Sequence, residues 1–346
     1  MMFRLLFAAL LSGLTLAAHA QLTILQYHHV DTTTPASTSI SPDDFRRHLA
    51  LLEQEGMVVM DLAAAMKALR AGENLPAKAV AITFDDAYLS IYQNAFPLLK
   101  ARHWPFTIFV NTAAVDGGHG PVLSWDQLRE MRDAGALIAN HTVHHPYLIE
   151  QPEGLSLDDW MKAEVEAAET RLVAELGSSP RMLAYPYGEF SLAIAGWLRD
   201  HNYLAFGQQS GPVGPLSHPQ ALPRFPAAGV YANTETLKTK LYTLALPLNP
   251  EEVNDPVLND ATLPQLVLHF PVVDLNPAQF QCFASSEGAI PTEASTSKGM
   301  ITLITGATQP MKGGRSRYNC TAPSRTHKGW YYWYSQLWIN QTVNQR

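Results

Sequence analysis

Residues 79–86 (AVAITFDD) and 141–145 (HTVHH) have the types and spacing to do chemistry together. The first stretch is an apolar run that ends in two adjacent carboxylates, Asp85 and Asp86. The second follows another apolar run and offers His141, His144 and His145. One carboxylate with two imidazoles can hold a divalent metal ion and leave positions open for water and substrate. An ion held in this way brings the pKa of its water toward neutrality and polarises a carbonyl oxygen. Successive side chains point in different directions, so Asp85 and Asp86 do not comfortably ligate one ion. One should bind the metal, and the other should accept the proton of the water. Spacing alone does not choose between the pairs His141/His144 and His141/His145. Thiolates are excluded from the set, because no cysteine precedes Cys282.

The elements that must position these residues are legible around them. Residues 79–84 are apolar without alternation, the pattern of a parallel strand covered on both faces. Further short strands are predicted at 22–27, 57–60, 106–110, 137–139, 182–185 and 203–206. The helices between them carry start signals at Ser41-Pro42, Ser124 with Gln127, and Ser156 with Asp159, and stop signals at Gly56, Gly135 and Gly177. A last helix is predicted over 234–244. Such alternation implies an α/β fold with a parallel sheet and helices outside it. His28, Asp85, Asp86, His141 and Tyr187 each come just after a predicted strand. In a barrel of parallel strands those ends share one mouth, where active sites lie.

The pattern changes near residue 247. Residues 247–255 read as a linker, and 256–346 show strands but no amphipathic helix, which suggests a small all-β, sandwich-like domain. Cys282 and Cys320 would pair there, closing a loop of about 38 residues worth roughly 3–4 kcal/mol in the chain-entropy view. The aromatic run at 329–339 (GWYYWYSQLWI) reads either as a packed strand or as a surface that stacks on sugar rings. At the other end, Arg4, the apolar residues 5–18 and Ala18-His19-Ala20 read as a secretory leader cleaved after Ala20. The expected domains are therefore a signal peptide at 1–20, a barrel at 21–246, the linker, and the β-domain. The expected protein is exported, periplasmic or secreted, with no membrane span once the leader is gone. The 346 residues carry a net formal charge of −7 and no basic block, so nucleic acid is not an expected partner.

Thr83-Phe84-Asp85-Asp86 resembles the T-F-D-D motif of the polysaccharide deacetylases, carbohydrate esterase family four with the NodB-like fold. Residues 141–145 match that family's H-S/T-x-x-H motif, which selects His141 and His145. Ala184-Tyr185-Pro186-Tyr187-Gly188 resembles its third motif, R-P-P-Y-G. The motifs stand in the family's order, and the resemblance spans roughly residues 22–240. It implies a distorted (β/α)7-type barrel that hydrolyses N-acetyl, or alternatively O-acetyl, groups on an acetylated polysaccharide. It implies Zn2+ as the first choice of ion, with Co2+, Ni2+ or Fe2+ as alternatives. Asp85 would be the catalytic base, and Asp86, His141 and His145 the metal ligands. The backbone N–H of Tyr187 would stabilise the oxyanion.

Two positions depart from the family pattern. The arginine that tethers the base in the family is Ala184 here, and Arg224 in the segment LPRFP (222–226) is the expected spatial replacement. The late Leu-His motif is matched only by Leu268-His269, beyond the linker. The start Tyr27-His28-His29-Val30 instead resembles the Y-H-x-V opening of the group that deacetylates bacterial poly-N-acetylglucosamine, which assigns the general-acid role to His28. The missing arginine motivates a rival reading, a non-catalytic carbohydrate-binding protein on a deacetylase scaffold. The retained Asp85, Asp86, His141 and His145 argue against it. No G-x-S-x-G elbow or P-loop is present, and adjacent carboxylates do not flank a glycosidic bond. Tyr185 and Trp125 are expected to pack rather than to line the sugar site.

Overall fold

The structure is a computed structural model that describes residues 21–118, 120–258, 263–285 and 287–342. The predicted leader at 1–20 lies outside the described residues. The strands of the first unit are β1 (Thr23–Tyr27), β2 (Val58–Val59), β3 (Ala79–Asp85), β4 (Phe106–Val110), β5 (Ala136–Asn140), β6 (Met182–Ala184), β7 (Leu204–Phe206) and β8 (Phe225–Pro226). They form one parallel sheet in the order β8-β1-β3-β4-β5-β6-β7, with β2 beside the start of β3. The sheet curls until its ends almost meet. Phe206 of β7 pairs with Leu222, and three residues later Phe225 pairs with Leu25 of β1. Residues 222–226 therefore bridge the two edges of a distorted barrel.

Every residue of β1, β3 and β4 is buried, which explains the absence of alternation in their sequences. Side-chain size still alternates. Val80, Ile82 and Phe84 of β3 pack outward under the helices, whereas Ala79 and Ala81 join the inner cluster with Ile24 of β1 and Leu22 just before it. By strand periodicity Thr83 and Asp85 share the inner face with Ala81, as Gln26 does with Ile24. Small inner residues leave room there for polar side chains.

The second unit is built from β9 (Thr243–Ala245), β10 (Val257–Leu258), β11 (Gln265–Pro271), β12 (Gln281–Ala284), β13 (Gly288–Ile290), β14 (Thr292–Ser297), β15 (Met300–Gly306), β16 (Arg315–Pro323) and β17 (Tyr331–Asn340). One sheet runs β9-β17-β16-β12-β13, with β10 also on β17, and the other runs β11-β15-β14. Alternate residues, such as Leu266, Leu268 and Phe270 or Tyr318, Cys320 and Ala322, fill the core between the sheets. Cys282 and Cys320 sit opposite one another on β12 and β16 and form a disulfide.

One sequence expectation needs correction here. The helix predicted over 234–244 ends at Leu241, and Thr243–Ala245 is a strand paired in parallel with Tyr331–Trp333. The free edge of β17 supplies hydrogen-bond partners that a further helical turn would not need. The second sheet thus takes a strand from before the predicted linker. The aromatic run is divided between cores: Tyr332 and Trp338 enter the sandwich, while Trp333 meets Phe225 of the barrel edge-on, with centroids 5.3 Å apart.

Candidate active site

Asp85 is the last residue of β3 and is wholly buried. Arg224, equally buried, grips it with two parallel bonds, Nη1 to Oδ1 at 2.7 Å and Nη2 to Oδ2 at 2.9 Å. Gln26 Nε2 donates to the same Oδ2 at 2.7 Å. Arg224 is itself fixed by Nε donating to the Gly207 carbonyl at 3.0 Å and by the Phe109 ring beneath it. A carboxylate has about four acceptor sites, and these contacts take three, leaving one for a proton. Burial alone would raise the Asp85 pKa, but Arg224, His141 and His28 outweigh it and hold the group at about 2. Asp85 is therefore ionised at neutral pH.

Directly after β3 the chain turns through two left-handed residues, Asp86 (φ 70) and Ala87 (φ 53). The turn sends the two carboxylates to different places. Asp86 Oδ1 lies 3.3 Å from Nε2 of both His141 and His145, and the three groups offer ligand atoms within 4.8 Å of one another. His141 Nδ1 donates to the Ala184 carbonyl at 2.7 Å, which leaves the lone pair of Nε2 facing Asp86 in the neutral ring. Burial and the neighbouring His141 push His145 down to about 4, so its ring is neutral near pH 7. Asp86 Oδ1 is buried and accepts no well-formed hydrogen bond among the described residues. A carboxylate oxygen and two imidazole nitrogens converging without a donor between them fit a divalent cation.

The histidine loop is held from below. β5 ends at Asn140, whose Nδ2 donates to the Val165 carbonyl and whose Oδ1 accepts from Thr142 N. The helical stretch that begins at Leu157 widens into a π turn at Lys162–Glu166 before continuing as Ala167–Leu176. At that turn the Glu164 carbonyl accepts from Val143 N, and its carboxylate accepts from His144 N and pairs with His144 Nδ1 at 2.8 Å. The His144 side chain is 68% exposed and turned away, which separates it from His141 and His145. A π turn inside a helix often marks such a site. Sequence reasoning missed Glu164 and Gln26. The signal was a polar residue within an apolar pattern: Glu164 interrupts the buried stripe Met161, Val165, Ala168, Leu172, and Gln26 interrupts TILQY.

His28 lies at the same mouth, its Nε2 3.8 Å from Asp85 Oδ2. Its segment is anchored where Ser90 Oγ accepts from Val30 N and Asn94 Nδ2 donates to Val30 O. Tyr187 is left-handed (φ 58); its ring stacks on Tyr147 at 3.9 Å and meets His145 edge-on at 4.6 Å. Asp86, Ala87, Thr142, His145 and Tyr187 are five of the nine described non-glycine residues with positive φ. Such strain gathers where surrounding contacts over-determine a site. His269 is not brought in: it is exposed on β11 and contacts Thr302. Tyr185 is wholly buried with its hydroxyl on the Gln220 carbonyl, and Trp125 donates to Asp116, so both serve packing.

Comparison with known proteins finds the same fold. The family model described as polysaccharide deacetylase matches residues 72–206. The poly-beta-1,6-N-acetyl-D-glucosamine N-deacetylase of Escherichia coli (strain K12) is 28% identical over 237 residues, covering 58% of this chain and 34% of that protein. Among solved structures, IcaB from Ammonifex degensii superposes with a TM-score of 0.57 at 28% identity, over 64% of this chain and 97% of that one. The Streptococcus pyogenes deacetylase PplD in complex with acetate gives a TM-score of 0.59 at 25% identity, over 64% and 99%. The chain spans about a third to a half of the length of the curated relatives it matches.

Proposed function

We propose that this chain hydrolyses N-acetyl groups on a polysaccharide of the poly-N-acetylglucosamine kind, outside the cytoplasm. The observation that carries the reading is the pairing, at one barrel mouth, of an ionised, Arg224-held Asp85 with the converging Asp86, His141 and His145. The substrate class follows the printed names of the relatives, and the location follows the leader predicted at 1–20. A divalent cation, Zn2+ by preference, bound by Asp86, His141 and His145 would supply Lewis acidity and a water acidified toward neutral pH.

The chain's own groups do the rest. Asp85 takes the proton of the attacking water at its one open acceptor site. Arg224 and Gln26 keep that carboxylate oriented and charged. The N–H of Tyr187 donates to the oxygen of the acetyl carbonyl as it gains charge. His28 passes a proton to the departing amine, so water and amide become acetate and a free amino sugar. The binding-protein alternative drew its support from the missing arginine, and Arg224 occupies that role spatially. Acetate release from β-1,6-linked N-acetylglucosamine oligomers is the test. We expect release by the zinc-loaded chain and none by Asp86→Ala. Undiminished release by that variant would overturn the assignment of the site.

A further inference from the structure

The β-sandwich reaches into the barrel's mouth at one side chain. Arg315, the first residue of β16, donates from Nη1 to the carbonyl of Tyr187 at 3.2 Å. Its Nε lies 3.3 Å from Oε1 of Glu189, which is wholly buried. These two acceptors flank Gly188, which is left-handed (φ 74) and has no room for a Cβ, since one would stand 2.7 Å from Gln208. The Tyr187–Glu189 loop is thus a strained turn, closed by Gly188 N on the Tyr185 carbonyl and Glu189 N on the Pro186 carbonyl. The Tyr187 ring rests against His145.

We propose that Arg315 is a positioning residue for deacetylation, by which the β-domain holds the Tyr187 loop against the candidate metal site. This rests on the deacetylase reading above and adds a role for the second domain within it. The planar guanidinium reaches both groups from one rigid fork, a hydrogen bond to the Tyr187 carbonyl and an ion pair with the Glu189 carboxylate, which a lysine ammonium cannot reproduce with the same geometry. Strand periodicity explains why Arg315 is available: Ser316, Tyr318 and Cys320 of β16 face the sandwich, so Arg315 and Arg317 face the other way, toward the barrel. The ring of Trp333, on the neighbouring strand, completes the docking against Phe225.

The test compares the full-length chain with Arg315→Ala and Arg315→Lys, by steady-state kinetics on N-acetylglucosamine oligomers and by amide hydrogen exchange of residues 185–190. For Arg315→Ala we expect kcat to fall about tenfold, KM to hold, and exchange of the loop to accelerate, with Arg315→Lys between it and the wild type. Wild-type kcat in Arg315→Ala would overturn the proposal, and so would unchanged exchange of the loop. Should the wild type itself release no acetate, the deacetylase reading falls and this inference with it, while the exchange comparison still shows separately whether Arg315 orders the loop.

Discussion

Asp85 in the barrel and Asp274 in the sandwich are both carboxylates held below their ordinary pKa, and they arrive there differently. Burial would raise each of them. Asp85 is overcome by charge: a fully buried guanidinium and two histidines. Asp274 is overcome by hydroxyls, those of Ser324, Thr326 and Tyr332, with Thr326 N adding a backbone bond. Asp274 ties its loop to the β16–β17 turn, and every donor it uses belongs to the sandwich. Asp85 takes donors from two distant places in the chain, Gln26 and Arg224, keeps one acceptor site open, and sits beside His28 and the Asp86 cluster. A depressed carboxylate therefore marks only a well-satisfied charge. The open acceptor site and its neighbours mark a base.

Substitutions can break that contrast or sharpen it. The largest effect is expected from Asp85→Asn. Acetate release should fall by about 10³-fold while zinc binding, read by calorimetry, persists. Retained deacetylation in that variant would remove Asp85 from the base role. Arg224→Met comes next, because it leaves a buried carboxylate without its partner. Denaturant unfolding should show a loss of about 3–5 kcal/mol, and a stability near wild type would mean that Gln26 suffices. Asp274→Asn should leave acetate release unchanged and lower unfolding stability by about 1–3 kcal/mol; lost activity there would erase the distinction between the two acids.

The smallest effect is in the pH dependence of stability. The folded pKa of Asp85, about 2, lies below its ordinary 3.8. Its contribution is complete above pH 3.8 and is lost as the pH falls toward 2. Glu189 behaves oppositely. Burial raises it from 4.5 to about 7 despite Arg315, so its contribution is complete below pH 4.5 and is lost as the pH rises through 7. Unfolding followed across pH should show the alkaline loss flattened in Glu189→Gln and the acid loss flattened in Asp85→Asn. Identical profiles in all three proteins would show that neither group controls the curve.

The sequence by itself determined what depends on near neighbours. The caps at Ser41, Ser124 and Ser156 are in place, with a full capping box at Ser124 and Gln127. The apolar runs are the buried parallel strands, and the alternating ones are the sandwich. His28, Asp85, Asp86 and His141 lie where strand ends share a mouth, because periodicity and turn chemistry are properties of a few consecutive residues. Only the tertiary structure decided which distant groups meet. Arg224 reaches Asp85 across 139 positions in sequence, Gln26 across 59, and Arg315 reaches Tyr187 across 128. The strand at Thr243–Ala245 looked helical until β17 offered it an edge. Charge partners and sheet edges are chosen when the barrel curls shut and the sandwich docks on it, and no local pattern encodes that closure.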